Sequence, residues 1–187
     1  MKKLFALLLA LALALGCCTA MAEAPAKTEI GTINMNGAFK LQCSLPAEYE
    51  IKIASKDDEG LIALIETEDE TKPTMFLAIE FDEIYSEVKR MNDMTEEQLQ
   101  EIIDTFADDG DEITVSYTET SHGTKLMFVK EAVEGIDFVA FITVYEGYMI
   151  EFDMLASPTA EEGLTEAQIQ MCVDFLSDLD FIPEEEA

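Results

Sequence analysis

The sequence contains little positive charge, with 11 lysines and arginines against 40 aspartates and glutamates, and its formal net charge is −29. Proteins that bind nucleic acids need clusters of basic residues that displace counterions from the phosphates. The shortage of such residues excludes nucleic acid as a partner, and it disfavours anionic lipids and anionic wall polymers. Cations, basic proteins and neutral ligands remain as partner classes.

Histidine is nearly absent, since His122 is the only one in the chain. A Ser-His-Asp or Cys-His catalytic arrangement would have to use it as the base. His122 lies between Ser121 and Gly123, in a segment whose composition is typical of a turn. Neighbouring residues in a turn seldom point at each other, so we predict an exposed histidine. The sequence therefore predicts no catalytic residue, and we expect no cofactor.

Cysteine is sparse, and the chain has no C-x-x-C motif or Cys/His cluster of the kind that binds zinc. Cys43 and Cys172 each lie on the predicted core face of an element. An oxidising exterior would allow a disulfide between them. The alternative is that both stay as small buried thiols. The sequence leaves both alternatives open, because a disulfide depends on a distance between the two residues.

The one long apolar run, residues 4–15, is too short for a bilayer-spanning helix, which needs about 20 residues. It follows a basic start and precedes the small residues Ala20 and Ala22, an A-x-A cleavage pattern that predicts a signal peptide over residues 1–22. The alternative is a lipoprotein cut before Cys17 or Cys18, which would leave a lipid anchor. Either outcome places the protein outside the cytoplasm, with no transmembrane span.

Apolar residues alternate with polar ones along many segments, which is the period of a half-buried strand. Representative alternating sets are Phe39, Leu41 and Cys43, then Met75, Leu77 and Ile79. Two segments instead show the i, i+3, i+4 spacing of an amphipathic helix, and each begins with a capping box, at residues 95–98 and 165–168.

The order of these elements is strands, helix, strands, helix, which predicts an α+β fold. We expect an antiparallel sheet of about six to eight strands with two main helices packed on it. Residues 23–36 are expected to form a leader with a short first strand. Residues 37–182 form a single domain, and residues 183–187 form an acidic tail.

One acidic cluster is the strongest candidate for a metal site, and it contains Asp108, Asp109, Asp111 and Glu112. Carboxylates in a loop are the ligands that Ca²⁺ prefers. The spacing does not match the EF-hand loop, because Thr105 and Ala107 fall where carboxylates are needed. A chain this acidic forms such runs by chance, so we predict a solvated acidic turn.

Four stretches carry a resemblance to a known fold: "FKLQCSLPAEYEIK", "MTEEQLQEIIDTF", "GIDFVAFITVYEGYMIEFDMLAS" and "LTEAQIQMCVDFLSDLDFI". In this order they resemble the Mog1/PsbP-like α+β fold, as found in bacterial extracytoplasmic proteins of the DcrB and PsbP type. The resemblance covers residues 37–182 and implies an antiparallel α+β domain outside the cytoplasm. It implies no shared activity, and no site residues are carried over.

We therefore expect a secreted or surface-associated bacterial protein that is a non-enzymatic binding domain. Its partner would be a protein or small ligand at the cell exterior. The first alternative is weak binding of a divalent cation such as calcium by the acidic loops. The second is a carboxylate-dependent hydrolase, because so many acidic residues allow many pairings.

Overall fold

The structure is a computed structural model that describes residues 27–33, 39–46, 48–56, 60–69, 72–106, 113–133, 136–155 and 163–183. Within these residues, ten strands form two antiparallel sheets, and two helices accompany them. The mixed α+β class predicted from the sequence is confirmed. In the same ranges, no helix combines the length and apolar character needed to cross a membrane.

The strands are β1 (Lys27–Ile33), β2 (Phe39–Ser44), β3 (Glu50–Lys56), β4 (Gly60–Glu66), β5 (Thr74–Phe81), β6 (Ile113–Glu119), β7 (Lys125–Val133), β8 (Ile136–Tyr145), β9 (Tyr148–Leu155) and β10 (Asp180–Pro183). The helices are α1 (Glu96–Phe106) and α2 (Glu166–Leu176), and two short 3₁₀ turns cover Glu83–Tyr85 and Met91–Asp93. The large sheet has the order β3-β4-β5-β9-β8-β7-β6, and the small sheet has the order β1-β2-β10.

The small sheet corrects the prediction of a single sheet. β2 does not join the large sheet, because it pairs with β1 on one side and with β10 on the other. The helix α2 ends at Leu176, and the short segment after it, which the sequence pattern does not mark as a strand, forms β10. β10 has only four residues and pairs with a strand far away in sequence, for example Phe181 with Leu41. A local pattern cannot reveal such a pairing.

The inner face of the large sheet packs against the small sheet and α2. On β5, the fully buried residues of this face are those that the alternation predicts, Met75, Leu77 and Ile79. Phe39 of β2 is fully buried here among aromatic rings, with centroids 5.1 Å from Tyr145, 5.4 Å from Tyr148 and 5.5 Å from Phe181. Edge-on ring contacts of this kind add to the area burial.

The outer face of the large sheet is covered on one side only. Leu99 and Ile102 of α1 are buried against the outer residues of β7 and β8, together with the 3₁₀ turns. Over β4 and β5, by contrast, the outer residues Ile62, Leu64 and Phe76 are only partly buried. One helix is too narrow to cover seven strands.

Both helices begin at the capping boxes that the sequence predicts. At α1, the Gln98 amide donates to Thr95 Oγ1 at 3.3 Å, and the Thr95 amide donates to Gln98 Oε1 at 3.0 Å. At α2, Gln168 and Thr165 make the same two bonds, at 3.3 and 2.8 Å. Each box satisfies amides that have no partner within the helix.

Glu146 and Gly147 form the tight turn between β8 and β9. Both have positive φ, 48° and 83°, which only glycine adopts without strain. A Cβ on Gly147 would also lie 3.0 Å from the Phe81 ring and 3.2 Å from Ser86 Cα. Glycine is therefore required here both for its backbone conformation and for space.

Several predictions fall on residues outside the described ranges. These are the signal peptide at 1–22, the lipidation candidates Cys17 and Cys18, the acidic cluster of Asp108, Asp109, Asp111 and Glu112, and the tail beyond Pro183.

Candidate functional site

A groove of about 670 Å³ runs beside α2, where the small sheet meets the turn between β6 and β7. We call it the α2 groove. Its apolar wall contains Pro46, Ala167, Met171 and Phe175. Its polar residues are Ser44, Ser121, Gln170, Asp174, Ser177 and Asp178. A concave surface with apolar walls and a few convergent polar groups is the common form of a ligand site.

Asp178 is the centre of the polar network in this groove. Ser44 Oγ donates to its Oδ2 at 2.8 Å, and Ser121 Oγ donates to its Oδ1 at 3.2 Å. His122 Nε2 lies 3.3 Å from the same Oδ1, and His122 Nδ1 lies 3.6 Å from Asp180 Oδ2. The Asp178 side chain is still 32% exposed, so a ligand can reach the carboxylate. The network fixes a carboxylate at a solvent-accessible position.

The network has Ser, His and Asp side chains, but their order differs from that of a catalytic triad. In a triad the histidine lies between serine and aspartate and takes the serine proton. Here the hydroxyls of Ser44 and Ser121 donate to Asp178 directly. The arrangement therefore positions the carboxylate and does not prepare a serine for attack.

His122 lies in a turn, as predicted, and Gly123 supplies its positive φ of 76°. The turn is anchored to the end of α2, because the Ser121 amide donates to the Ser177 carbonyl at 2.8 Å. This bond brings His122 to Asp178, which lies 56 residues further along the chain. The histidine is exposed, with a third of its side chain accessible.

Cys43 and Cys172 are both buried and unbridged in the structure. Both face the core, as the patterns predict, and Cys172 Sγ lies 3.1 Å from Met75 Sδ. Burial, and then the charge of Asp178, raise the pKa of the Cys43 thiol far above its ordinary value. Burial raises the pKa of Cys172 to about 12. Both are therefore protonated at neutral pH and are poor nucleophiles. A bridge was one of two alternatives left open by the sequence, and the structure contains the other, two separate buried thiols.

A second acidic feature lies on the outer face of β9, away from α2. Asp153 Oδ1 is buried, and it has no hydrogen-bond partner among the described residues. Desolvation, followed by the charge and hydrogen bond of Glu151, raises the pKa of Asp153 to about 8. Asp153 lies between Phe76 of β5 and Ala140 of β8 in the sheet register. Burial and the neighbouring Glu151 therefore both favour the protonated form of this carboxyl.

The described part of the chain contains no group of three or more His, Cys, Asp or Glu side chains placed to hold a metal ion. The predicted candidates Asp108, Asp109, Asp111 and Glu112 lie outside it, so calcium binding by them stays a prediction.

The sequence predicted His122 only as an exposed turn residue, and the residues that surround it were missed. Ser44 and Asp178 are 134 positions apart, and Ser121 and Asp178 are 57 apart, so no local motif joins them. Asp153 was missed for another reason. In the alternation of β9 it occupies an outward position, which is typical of a solvated residue.

The chain matches no protein-family model, and no curated protein matches it.

Proposed function

We propose that this protein is a non-enzymatic binding domain that acts at the cell exterior, and that it binds its ligand in the α2 groove. The observation that carries the proposal is the partly exposed Asp178 carboxylate, held by two serine hydroxyls at the side of an apolar wall. A carboxylate that is already oriented needs little reorganisation when a ligand binds.

The chemistry of the groove favours a ligand with a cationic head and an apolar body. Asp174 and Asp178 both line the groove, and the described residues of its lining include no lysine or arginine. An ammonium group donates up to three hydrogen bonds and would complement this pair of carboxylates. Met171 and Phe175 offer an apolar surface for the rest of the ligand. The net charge of −29 would also steer cations toward the protein.

Isothermal titration with n-hexylamine and with n-hexanol tests the proposal, because the two probes share an apolar body and differ in the head group. We expect the amine to bind more tightly than the alcohol. Asp178→Asn removes the charge and keeps the size of the side chain; its one amide oxygen still accepts from one serine hydroxyl, and its NH2 group can donate to the other. We expect it to weaken amine binding by about tenfold or more, or about 1.4 kcal/mol, and to leave the alcohol unchanged.

Glu97→Gln is the matched control, since it removes one carboxylate from the exposed surface of α1, on the other side of the sheet. It should leave amine binding unchanged. Equal binding of amine and alcohol, or an equal loss in Glu97→Gln and Asp178→Asn, would contradict the proposal. The second result would mean that overall charge alone attracts the amine.

We further propose that the domain is Mog1/PsbP-like and of the bacterial extracytoplasmic kind. Its antiparallel α+β architecture supports this assignment. Intact mass of the native protein, recovered separately from medium and membrane, tests the location. A soluble species that begins at Glu23 would support secretion, and a membrane species that begins at Cys17 or Cys18 with acyl mass would support a lipid anchor. A full-length species in the cytoplasm would contradict both.

A further inference from the structure

The two edge strands of the large sheet differ in how they are protected against pairing. An exposed edge offers unpaired backbone groups to other strands, and proteins block this with lysines, prolines or bulges. β3 has such protection: it contains Lys52 and Lys56, and its register shifts between Ile53 and Ser55. Lys52 also pairs with Glu50 at 2.8 Å.

β6 forms the opposite edge and has none of these features. Its pairing with β7 is continuous from Ile113 to Glu119, without a register shift. The strand contains no lysine or proline, and its residues from Ser116 onward are exposed. Val, Ile, Thr and Tyr, which favour strands, make up most of it. Among the residues that the structure describes, no strand pairs with the outer side of β6, so this edge is regular and open to a further strand.

A second groove lies on the inner face directly beside β6, and we call it the β6 groove. Its volume is about 280 Å³, and it is lined by Ser116, Thr118, Phe128, Lys130, Phe141, Glu166, Ile169 and Val173. The register places Ser116 opposite Phe128, and Phe128 opposite Phe141, in one row across three strands. The two rings are 5.0 Å apart. The row ends at a small serine, which leaves space above the sheet edge.

We propose that β6 binds an extended peptide as an additional strand, with one apolar side chain of the peptide in the β6 groove. Main-chain bonds to an edge strand provide affinity, and a pocket for alternate side chains provides specificity. A residue opposite Ser116 would continue the row of Phe128 and Phe141. Ser116 is short enough for a Leu side chain to extend over it toward the Phe128 ring.

Charge decides between a second copy of this chain and a different peptide. Two copies paired through β6 would bring together two chains that each carry a net charge of −29, and such repulsion opposes association. A peptide whose apolar residue is flanked by lysine or arginine is attracted instead. The occupant is therefore a basic, extended segment of another protein.

A fluorescein-labelled peptide, Lys-Thr-Lys-Leu-Lys-Thr-Lys, has the length of β6 and serves as the probe in fluorescence anisotropy with the full chain. We expect saturable binding. Ser116→Phe fills the β6 groove and should weaken binding by about tenfold or more. Ser55→Phe makes the same change at an exposed serine on β3, and it should leave the affinity unchanged. Thermal melts verify that both variants fold.

Two changes to the peptide test the mode of binding without altering the protein. Replacing its Leu with Ser, or methylating alternate backbone nitrogens, should each weaken binding, since the first removes the groove contact and the second removes main-chain donors. Three outcomes would overturn the proposal: no binding up to millimolar protein, equal binding of the methylated peptide, or a dimer in sedimentation that Ser116→Phe disrupts. The last would identify a second copy as the occupant.

Discussion

The two faces of the large sheet are built from the same strands but have different physical roles. On β9, Phe152 is buried against Phe175 of α2 on the inner face, and its neighbour Asp153 lies on the outer face. The inner face is covered by the small sheet and α2, and the α2 groove opens at its border. The outer face is covered by α1 over only part of its width, and it contains the partly buried Asp153, whose Oδ1 is buried. Apolar packing stabilises the inner face, whereas the stability of the outer face also depends on the charge state of Asp153.

The largest expected effect comes from Phe39→Ala on the inner face. This side chain is fully buried and contacts three aromatic rings, so its removal leaves a cavity that rigid neighbours cannot fill. We expect the free energy of unfolding to fall by about 3–5 kcal/mol in urea denaturation. Leu99→Ala on α1 is the matched change on the outer face, and we expect a loss of about 2–3 kcal/mol. A larger loss at Leu99 than at Phe39 would reverse the comparison.

Asp153→Asn tests how much the raised pKa of Asp153, on the outer face, lowers the free energy of unfolding. The pKa of Asp153 is raised to about 8 in the fold, so between about pH 4 and 8 the unfolded chain releases a proton that the folded chain keeps. Wild-type protein therefore loses stability from this residue as pH rises through that window. Asparagine does not titrate, and the variant avoids this loss.

Urea denaturation of both proteins across the pH range checks this prediction. As pH rises, the free energy of unfolding of the wild type should fall relative to that of the variant. This fall should reach up to a few kcal/mol at about pH 9. The difference between the two proteins should change little below about pH 4, where Asp153 is protonated in both states. A difference that stays constant with pH would show that Asp153 has an ordinary pKa in the fold.

The smallest expected effect comes from the helix caps, where the two faces should behave alike. Thr95→Ala on α1 and Thr165→Ala on α2 remove cap bonds of the same geometry. Each should lower the free energy of unfolding by about 1 kcal/mol. A loss at only one cap would mean that the two helices contribute unequally to global unfolding.

Local patterns were sufficient to predict the α+β class, most of the strands and both helices. The alternation of Met75, Leu77 and Ile79 predicts a buried face of the strand, and all three residues are fully buried in the structure. The same pattern misleads at Ile53, which is 53% exposed because β3 lies at an edge that nothing in the described part of the chain covers on that side. Alternation identifies a strand but not its place in the sheet.

The small sheet and the α2 groove could not be predicted in the same way. β10 has four residues, including Pro183, and it becomes a strand only because β2 pairs with it. Asp178 becomes a site residue only when β2 and the β6–β7 turn bring Ser44 and Ser121 to it. These features depend on contacts between distant parts of the chain, which sequence periodicity does not encode.

Amide chemical shifts of the nitrogen-15-labelled protein during a titration with n-hexylamine would test most directly whether the α2 groove is the binding site. We expect the largest changes at Ser44, Ser121 and Asp178, with saturation, and small changes along α1. Shifts that are largest on α1, or that spread evenly over the acidic surface without saturating, would contradict a binding site on the inner side of the sheet.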